Sequence, residues 1–572
     1  MLSIKDPVPE LTGSTESLKQ VQKWLATCMA SHGKCAKNPE RFYPSRLLDV
    51  SAPDCESAVK LVECEEEKLK NPETHGDMSV YACLSHCWGA LKPECITMTT
   101  SIHENKNEIP WTKFPLSFQH AIEFTRGLNI RYLWIDSICI IQDDDQDWAT
   151  QAGLMSDIYS NSTITLAATK ASDSSYGLFS TRAPKYDTCE VTLTLPDDGE
   201  ATHYPFQYPS QEHNSHEATQ PLLKGGDKVR VYSRRQMPHL PAARDRSRRC
   251  PLLSRAWVFQ ERVLSPRFLH FCNTELVWEC MEGSACQCDA AEFRVSPKAT
   301  LCAAVLKDRI DTDEDGQADD ENDWLDLAEE YSALALTFGR DKLPALSGAA
   351  KRSSHFKSGD VYLAGLWKSQ LPRSLAWEIP RDNLKKHPED DEWTTPSWSW
   401  ASVESPFTFV YWVRNRFRYS MATGALLARH KIESDPMDQT GRVRSGSISI
   451  ACSIVHATLD SPPNPEYGDY KYLVNFEGVV VSFSADYLLY EPGKYFVPHN
   501  SPVVCALLAV DARDQSNDGS KTFLVLLPVN KDLNTYRRIG ILEWQFLSLE
   551  SPYLYEASSI NLKGEINMIT IV

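Results

Sequence analysis

The sequence predicts an α/β fold, a mainly parallel sheet with flanking helices, followed by a helical middle segment and a β-rich C-terminal domain. Three observations carry this. Strand-like runs at 80–84, 131–141 and 163–168 alternate with amphipathic helical patterns. Such alternation implies βαβ crossovers, because parallel strands need a long connection between them. After Pro396 the pattern changes to apolar runs punctuated by Pro, Gly, Asn and Asp, which suggests a sandwich or barrel. Finally, 572 residues are too many for one compact core, so several domains are expected.

The elements follow in order. Val80 to Leu84 reads as a buried strand. Pro115 to Arg126 is helical, with Phe118, Ile122 and Thr125 on one face and a stop near Gly127. Arg131 to Ile141 is rich in aromatic and β-branched residues and reads as a strand. Asp147 to Tyr159 is an amphipathic helix whose face is Trp148, Ala152, Met155 and Tyr159. Thr163 to Ala168 is the third strand. Residues 190–248 read as a long insertion or mobile loop. Arg255 to Leu264 is helical, Phe268 to Cys272 pairs with Glu275 to Cys280 as a hairpin, and helices are expected after Trp324 and over Val361 to Leu371. The expected boundaries are 1–75, 76–285, 286–395 and 396–572.

Composition excludes several functions. Apolar residues make up 42% and charged residues 24%, ordinary globular values. Net charge is 59 − 77 = −18, which argues against a uniformly basic nucleic-acid face despite the local patch Arg244 to Arg249. No apolar run reaches the length of about 18 residues that a membrane span needs, and the first residues lack the apolar core of a secretory signal. The 17 cysteines are scattered and odd in number, as expected of reduced thiols in a cytosolic protein.

Four blocks resemble the fungal heterokaryon-incompatibility (HET) domain family. The first is Tyr81-Ala-Cys-Leu-Ser-His-Cys-Trp-Gly89. The second runs from Leu116 through Arg131-Tyr-Leu-Trp-Ile-Asp-Ser-Ile-Cys-Ile-Ile-Gln-Asp-Asp144 and continues to Asp147-Trp148, Met155, Ile158-Tyr159 and Gly177-Leu178. The third is Ser254-Arg-Ala-Trp-Val-Phe-Gln-Glu-Arg-Val-Leu-Ser265 with Trp278-Glu-Cys280. The fourth comprises Asp341 to Gly348, Leu363 to Trp367 and Pro396-Ser-Trp-Ser-Trp-Ala-Ser402, similar to the extension of large fungal members. Trp24, Cys28, His32, Cys35 and Arg46-Leu-Leu-Asp-Val50 also fit. One departure is Gln151, where the family often has an acidic residue. The resemblance implies a signalling or effector module in fungal non-self recognition and programmed cell death, acting through protein partners or self-association. The alternative it leaves open is an enzyme. One form is a nucleotide-consuming hydrolase, since the fold is likened to TIR domains, some of which cleave NAD; the other is a tailoring enzyme of secondary metabolism.

Ligands of parallel sheets sit beyond the carboxyl ends of the strands. Ser85, His86 and Trp88 end the first strand, and Asp136 and Cys139 lie toward the end of the second, so neighbouring strands would bring them to one crevice. Arg255, Trp257, Glu261 and Arg262 of the third block could join them to hold a polar, nucleotide-like ligand. Asp136, Glu261, Arg255, His86 and Cys139 are the candidate catalytic groups. The competing structural reading makes Asp136 a turn cap, Arg255 and Glu261 a buried ion pair, and the tryptophans core. Two cysteine clusters have fragments of zinc-ligand spacing, Cys28-x3-His32-x2-Cys35 and Cys280, Cys286 and Cys288, but neither has paired CxxC spacing, and free buried thiols are favoured over one shared structural zinc. The acidic run Asp311 to Asp319 imitates an EF-hand opening but has Asn322 at the place of the bidentate Glu, and a solvated loop is expected.

Overall fold

The computed structural model describes residues 8–35, 42–51, 59–65, 77–89, 92–186, 189–194, 228–233, 250–288, 298, 323–389, 395–414, 421–436, 438–460, 472–511, 520–530, 534–544 and 566–572. The chain divides into two compact units: Met1–Ser254 with Ser265–Thr300, and Arg255–Leu264 with Leu301–Val572. The acidic run, the Arg244–Arg249 patch and most of the insertion lie outside the described residues.

The first unit is built on an eight-stranded sheet. Its strands are β1 (Arg46–Asp49), β2 (Lys60–Glu63), β3 (Tyr81–Ser85), β4 (Tyr132–Trp134), β5 (Ile164–Ala167), β8 (Arg267–Phe271), β9 (Leu276–Cys280) and β10 (Ser284–Cys286). A separate antiparallel hairpin within the insertion supplies β6 (Cys189–Thr194) and β7 (Lys228–Ser233). The sheet order is β10-β9-β8-β5-β3-β4-β1-β2. The four central strands β8, β5, β3 and β4 are parallel. Both flanks are antiparallel, so the sheet is mixed, not mainly parallel as the alternation suggested. The reason is local. β8, β9 and β10 follow one another through short turns, and a short turn can only join antiparallel strands. On the other edge, β1 and β2 come from a region where four-residue strands leave too little periodicity to read.

The parallel strands carry the expected crossovers. Helix α2 (Leu116–Gly127) connects β3 to β4, and α3 (Asp145–Asn161) connects β4 to β5. All five residues of β3 are buried, as a strand covered on both faces must be. The second expected strand is much shorter than its β-branched run. It ends at Trp134 and gives way to a helical turn, Asp136–Cys139. Tertiary partners hold that turn: Thr97 donates its N–H to the Ser137 carbonyl (3.2 Å), and Arg46 Nε donates to the Cys139 carbonyl (2.7 Å). On α3 the buried residues include Gln151, Met155, Ser156, Ile158 and Tyr159, whereas Trp148 is 43% exposed. The buried face is therefore rotated away from Trp148. Gln151, the family departure, donates to Ser45 Oγ (3.0 Å).

The second unit joins helices α4 (Ala256–Leu264), α5 (Asp323–Ser332) and α6 (Pro344–Arg352) to a nine-stranded, largely antiparallel sheet. The 22-residue strand Asp438–Leu459 pairs with four others along its length. The helix expected over 361–371 is instead a hairpin, Tyr362–Leu363 against Leu366–Trp367. Ala364 (φ 48°) and Gly365 (φ 95°) make its two-residue turn, a geometry that a right-handed helix excludes. Gly365 is also a packing site, since its carbonyl accepts from the indoles of Trp324 (3.0 Å) and Trp400 (3.2 Å). Among the described residues no helix is long and apolar enough to cross a membrane.

Candidate functional site

The parallel strands run in the order β4-β3-β5-β8. The chain leaves β3 toward β4 and then returns across it to β5, which makes β3 the point where connection direction reverses. The carboxyl ends at such a reversal are where open α/β sheets bind ligands. Here those ends carry Ser85, His86, Cys87, Trp88 and Gly89 after β3, Asp136 and Ser137 after β4, and Thr169 after β5.

Asp136 ties two strand ends together. Trp88 Nε1 donates to its Oδ2 (2.9 Å), the Ser137 N–H donates to its Oδ1 (2.7 Å), and His86 Nδ1 lies 3.6 Å from Oδ1. The imidazole is buried edge-on against Phe118 of α2, with ring centroids 4.8 Å apart. The carboxylate keeps 26% exposure and so remains reachable from solvent. Next to it, the hydroxyls of Ser85 and Ser137 are buried with no hydrogen-bond partner among the described residues. Such orphaned donors are uncommon and mark a place where a polar group is accommodated. Gly89 completes the corner. It has φ 79°, and a Cβ there would fall 2.3 Å from Asp173 Cβ, so the turn after β3 and the segment after β5 close only around a glycine.

Cys139 is placed differently from a nucleophile. It is fully buried, and desolvation pushes its thiol up to about 12, so it stays protonated at neutral pH. Of the third block, Trp278-Glu-Cys280 belongs to the first unit and Arg255–Leu264 to the second. There Ala256 donates its N–H to the Ala335 carbonyl (2.9 Å), Trp257 Nε1 reaches Asp341 Oδ2 (3.4 Å), and Gln260 Oε1 accepts from the Gly348 N–H (3.3 Å). Phe259 stacks edge-on against Tyr331 (5.5 Å). Glu261 and Arg262 are each 6% exposed. Blocks three and four thus pack together, α4 against α6, which gives a physical reason for their occurrence in one chain. The residues expected in one crevice divide between the units: Ser85, His86, Trp88, Asp136 and Cys139 belong to the first, and Arg255, Trp257, Glu261 and Arg262 to the second.

Two groupings were not foreseen. His270 bridges Thr169 Oγ1 (2.9 Å) and Glu279 Oε2 (3.0 Å) in the order of a hydroxyl–imidazole–carboxylate relay. All three are fully buried, so the relay braces β5, β8 and β9 and meets no substrate. Its members are scattered singly along the chain and only the parallel pairing of β5 with β8 brings them together. His120 explains the Gly177-Leu178 signature. Its Nδ1 accepts from the N–H groups of Leu178 (3.1 Å) and Phe179 (3.3 Å), and its ring stacks on Phe179 at 4.0 Å. Burial, with Lys170 nearby, lowers it to about 4. The unfolded chain, near 6.5, then binds the extra proton between these values, so stability is lost as pH falls from about 6.5 toward 4. His120→Asn keeps an acceptor and removes the titration. Its unfolding midpoint should drop less than the wild type's between pH 7 and pH 4.5 in matched thermal melts, and an equal drop would show that His120 is not involved.

The cysteine clusters separate. Cys28, His32, Cys35 and Cys280 place one donor atom each within 4.8 Å of one another, whereas Cys286 and Cys288 join Glu275 elsewhere.

The first unit is of the α/β class, and comparison with known proteins shows what part of it is similar to. Residues 81–261 match the model described as heterokaryon incompatibility protein (HET). Over these residues the chain is similar to the HET family. It is 33% identical over 88 residues to the "Heterokaryon incompatibility protein 6, OR allele" of Neurospora crassa; the match covers 14% of this chain and 13% of that relative. No solved structure matches the chain.

Proposed function

We propose that the protein is a cytoplasmic effector of fungal non-self recognition whose HET domain triggers growth arrest or cell death. The observation that carries this reading is the corner inside the matched region, where the first two signature blocks meet through Trp88 and Asp136. The relative's name supports the same role. Partner contact or self-association fits the exposed Trp148, an aromatic of the signature that packing does not use. The test is inducible expression in a filamentous fungus. Wild-type protein should arrest growth, and Asp136→Ala at equal abundance should not. Normal growth at high wild-type expression would sink the proposal.

A second reading has one observation in its favour. The four parallel strands follow the doubly wound, flavodoxin-like order, in line with the likeness to TIR domains. In that reading the partly exposed Asp136 carboxylate, beside the two orphaned hydroxyls, takes ribose hydroxyls of a nucleotide. Nicotinamide release from NAD by the purified chain, absent in Asp136→Asn, would move the assignment from pure signalling to catalysis.

A further inference from the structure

We propose that Cys28, His32, Cys35 and Cys280 form a structural zinc site that clasps together the two segments flanking the HET domain. Three of the ligands precede residue 81 and the fourth follows residue 261, so the metal would close the domain's ends onto each other.

The geometry is that of a single ion. The four donor atoms lie within 4.8 Å of one another. Tetrahedral zinc with Zn–S bonds of about 2.3 Å needs sulfurs about 3.8 Å apart, and this spacing is too tight to enclose a multinuclear cluster. The backbone presents the donors. Cys28 sits in the last turn of α1 (Thr15–Ser31), His32 caps that helix through an N–H bond to the Cys28 carbonyl (3.1 Å), and Cys35 ends the short 3-10 turn that follows. His32 Nδ1 faces Cys280 Sγ at 3.3 Å. Cys280 ends β9 at a tight hairpin, where its N–H donates to the Gly283 carbonyl (2.8 Å).

Charge gives a second, independent indication. Binding would release three thiol protons and leave a centre of net charge −1, from one Zn²⁺, three thiolates and a neutral imidazole. Arg267 is 1% exposed and donates to the carbonyls of Cys35 (2.8 Å) and Thr163 (3.2 Å), with no carboxylate pairing it among the described residues. A buried guanidinium without an anion is costly, and the anionic zinc centre would supply the counter-charge that is absent among the described residues.

The other cluster does not compete. Glu275 Oε2 already accepts the Cys288 N–H (2.7 Å), and Cys286 and Cys288 pack with Val8, Cys272 and Val277 in an apolar group with only three donors. Nor does a disulfide satisfy the first cluster, since pairing two of three thiols would leave the third beside His32.

Full-length protein, purified under reducing conditions, should carry one zinc per chain by elemental analysis. Mercurial release should free that zinc with three thiols, and replacement with cobalt(II) should give thiolate-to-cobalt charge-transfer bands. Cys35→Ser and Cys280→Ser should lose the metal, while His32→Cys retains it and Cys286→Ser is neutral. Wild-type protein that holds well under one zinc per chain and takes up none on reconstitution would overturn the proposal. So would zinc lost in Cys286→Ser and kept in Cys280→Ser. These readouts need no cell-death activity, so they stand or fall apart from the proposed function.

Discussion

Arg538→Leu is expected to destabilise the second unit by about 3–5 kcal/mol, the usual cost of stranding one partner of a buried ion pair. Arg538 and Asp486 have side chains 0% and 2% exposed and meet through two bonds, Nε to Oδ2 (3.0 Å) and Nη2 to Oδ1 (3.1 Å). The guanidinium also donates to the carbonyls of Leu375 and Trp377 (both 2.5 Å) and lies 3.5 Å from the Trp377 ring centroid. It therefore nails the Trp-rich fourth block to the sheet: the Arg538 N–H donates to Ser397 Oγ (3.0 Å), and Trp377 Nε1 donates to the Trp398 carbonyl (3.1 Å). Burial keeps the Asp486 carboxyl up at about 6 even beside the arginine. Without the arginine the folded form favours the protonated carboxyl still more. The native state then binds the extra proton above the unfolded value near 3.9, and stability falls as pH rises through that window. The deficit of Arg538→Leu should accordingly be smaller at pH 5 than at pH 8 in urea titrations. The double variant Arg538→Met with Asp486→Leu should recover most of the loss, because replacing both members of a buried pair is often neutral. A single-variant cost below about 1 kcal/mol would show that the pair holds nothing.

What could be read from the sequence divides along physical lines. The crossover helices, the parallel strands and the hairpin at Phe268 to Cys280 were legible because each is encoded by its own periodicity. The end of β4 was not. Ile135 to Ile141 has strand composition, yet it turns because Thr97 and Arg46, distant in sequence, take its carbonyls. The convergence of His86, Trp88 and Asp136 followed from neighbouring parallel strands, while the assignment of Arg255 and Glu261 to another compact unit depended on α4 packing against α6. Trp148 shows the limit of amphipathic patterns: a modest rotation of the buried face leaves it out and takes in Gln151 and Ile158. The zinc-like set had the same character, with three ligands in one local spacing and the fourth supplied by a hairpin far along the chain.

Arg46 offers the second large effect, and it connects the fold to the corner. Its side chain is 8% exposed, donates to the Cys139 carbonyl, and pairs with Asp147, whose Oδ2 also accepts the Ile141 N–H (2.8 Å). One buried guanidinium thus fixes both ends of the segment from the Asp136 turn to α3. Arg46→Met leaves a largely buried carboxylate and a buried carbonyl unmatched, and should cost about 3–5 kcal/mol. Arg131 is the natural control. It contacts Asp49 with similar geometry, at 3.1 and 2.7 Å; its side chain is 31% exposed, and Asp49, itself 4% exposed, keeps the Ser51 N–H (3.1 Å), so Arg131→Met should cost less, about 1–3 kcal/mol. The difference should also be local. Amide exchange over 136–144 should accelerate in Arg46→Met well before global unfolding, because the turn loses its anchor while the sheet persists. Equal costs for the two variants, or unchanged exchange in that segment, would refute the idea that Arg46 holds the turn. If Asp136 must be presented at the strand ends for growth arrest, Arg46→Met should abolish arrest at temperatures where the protein is still folded, and Arg131→Met should retain it.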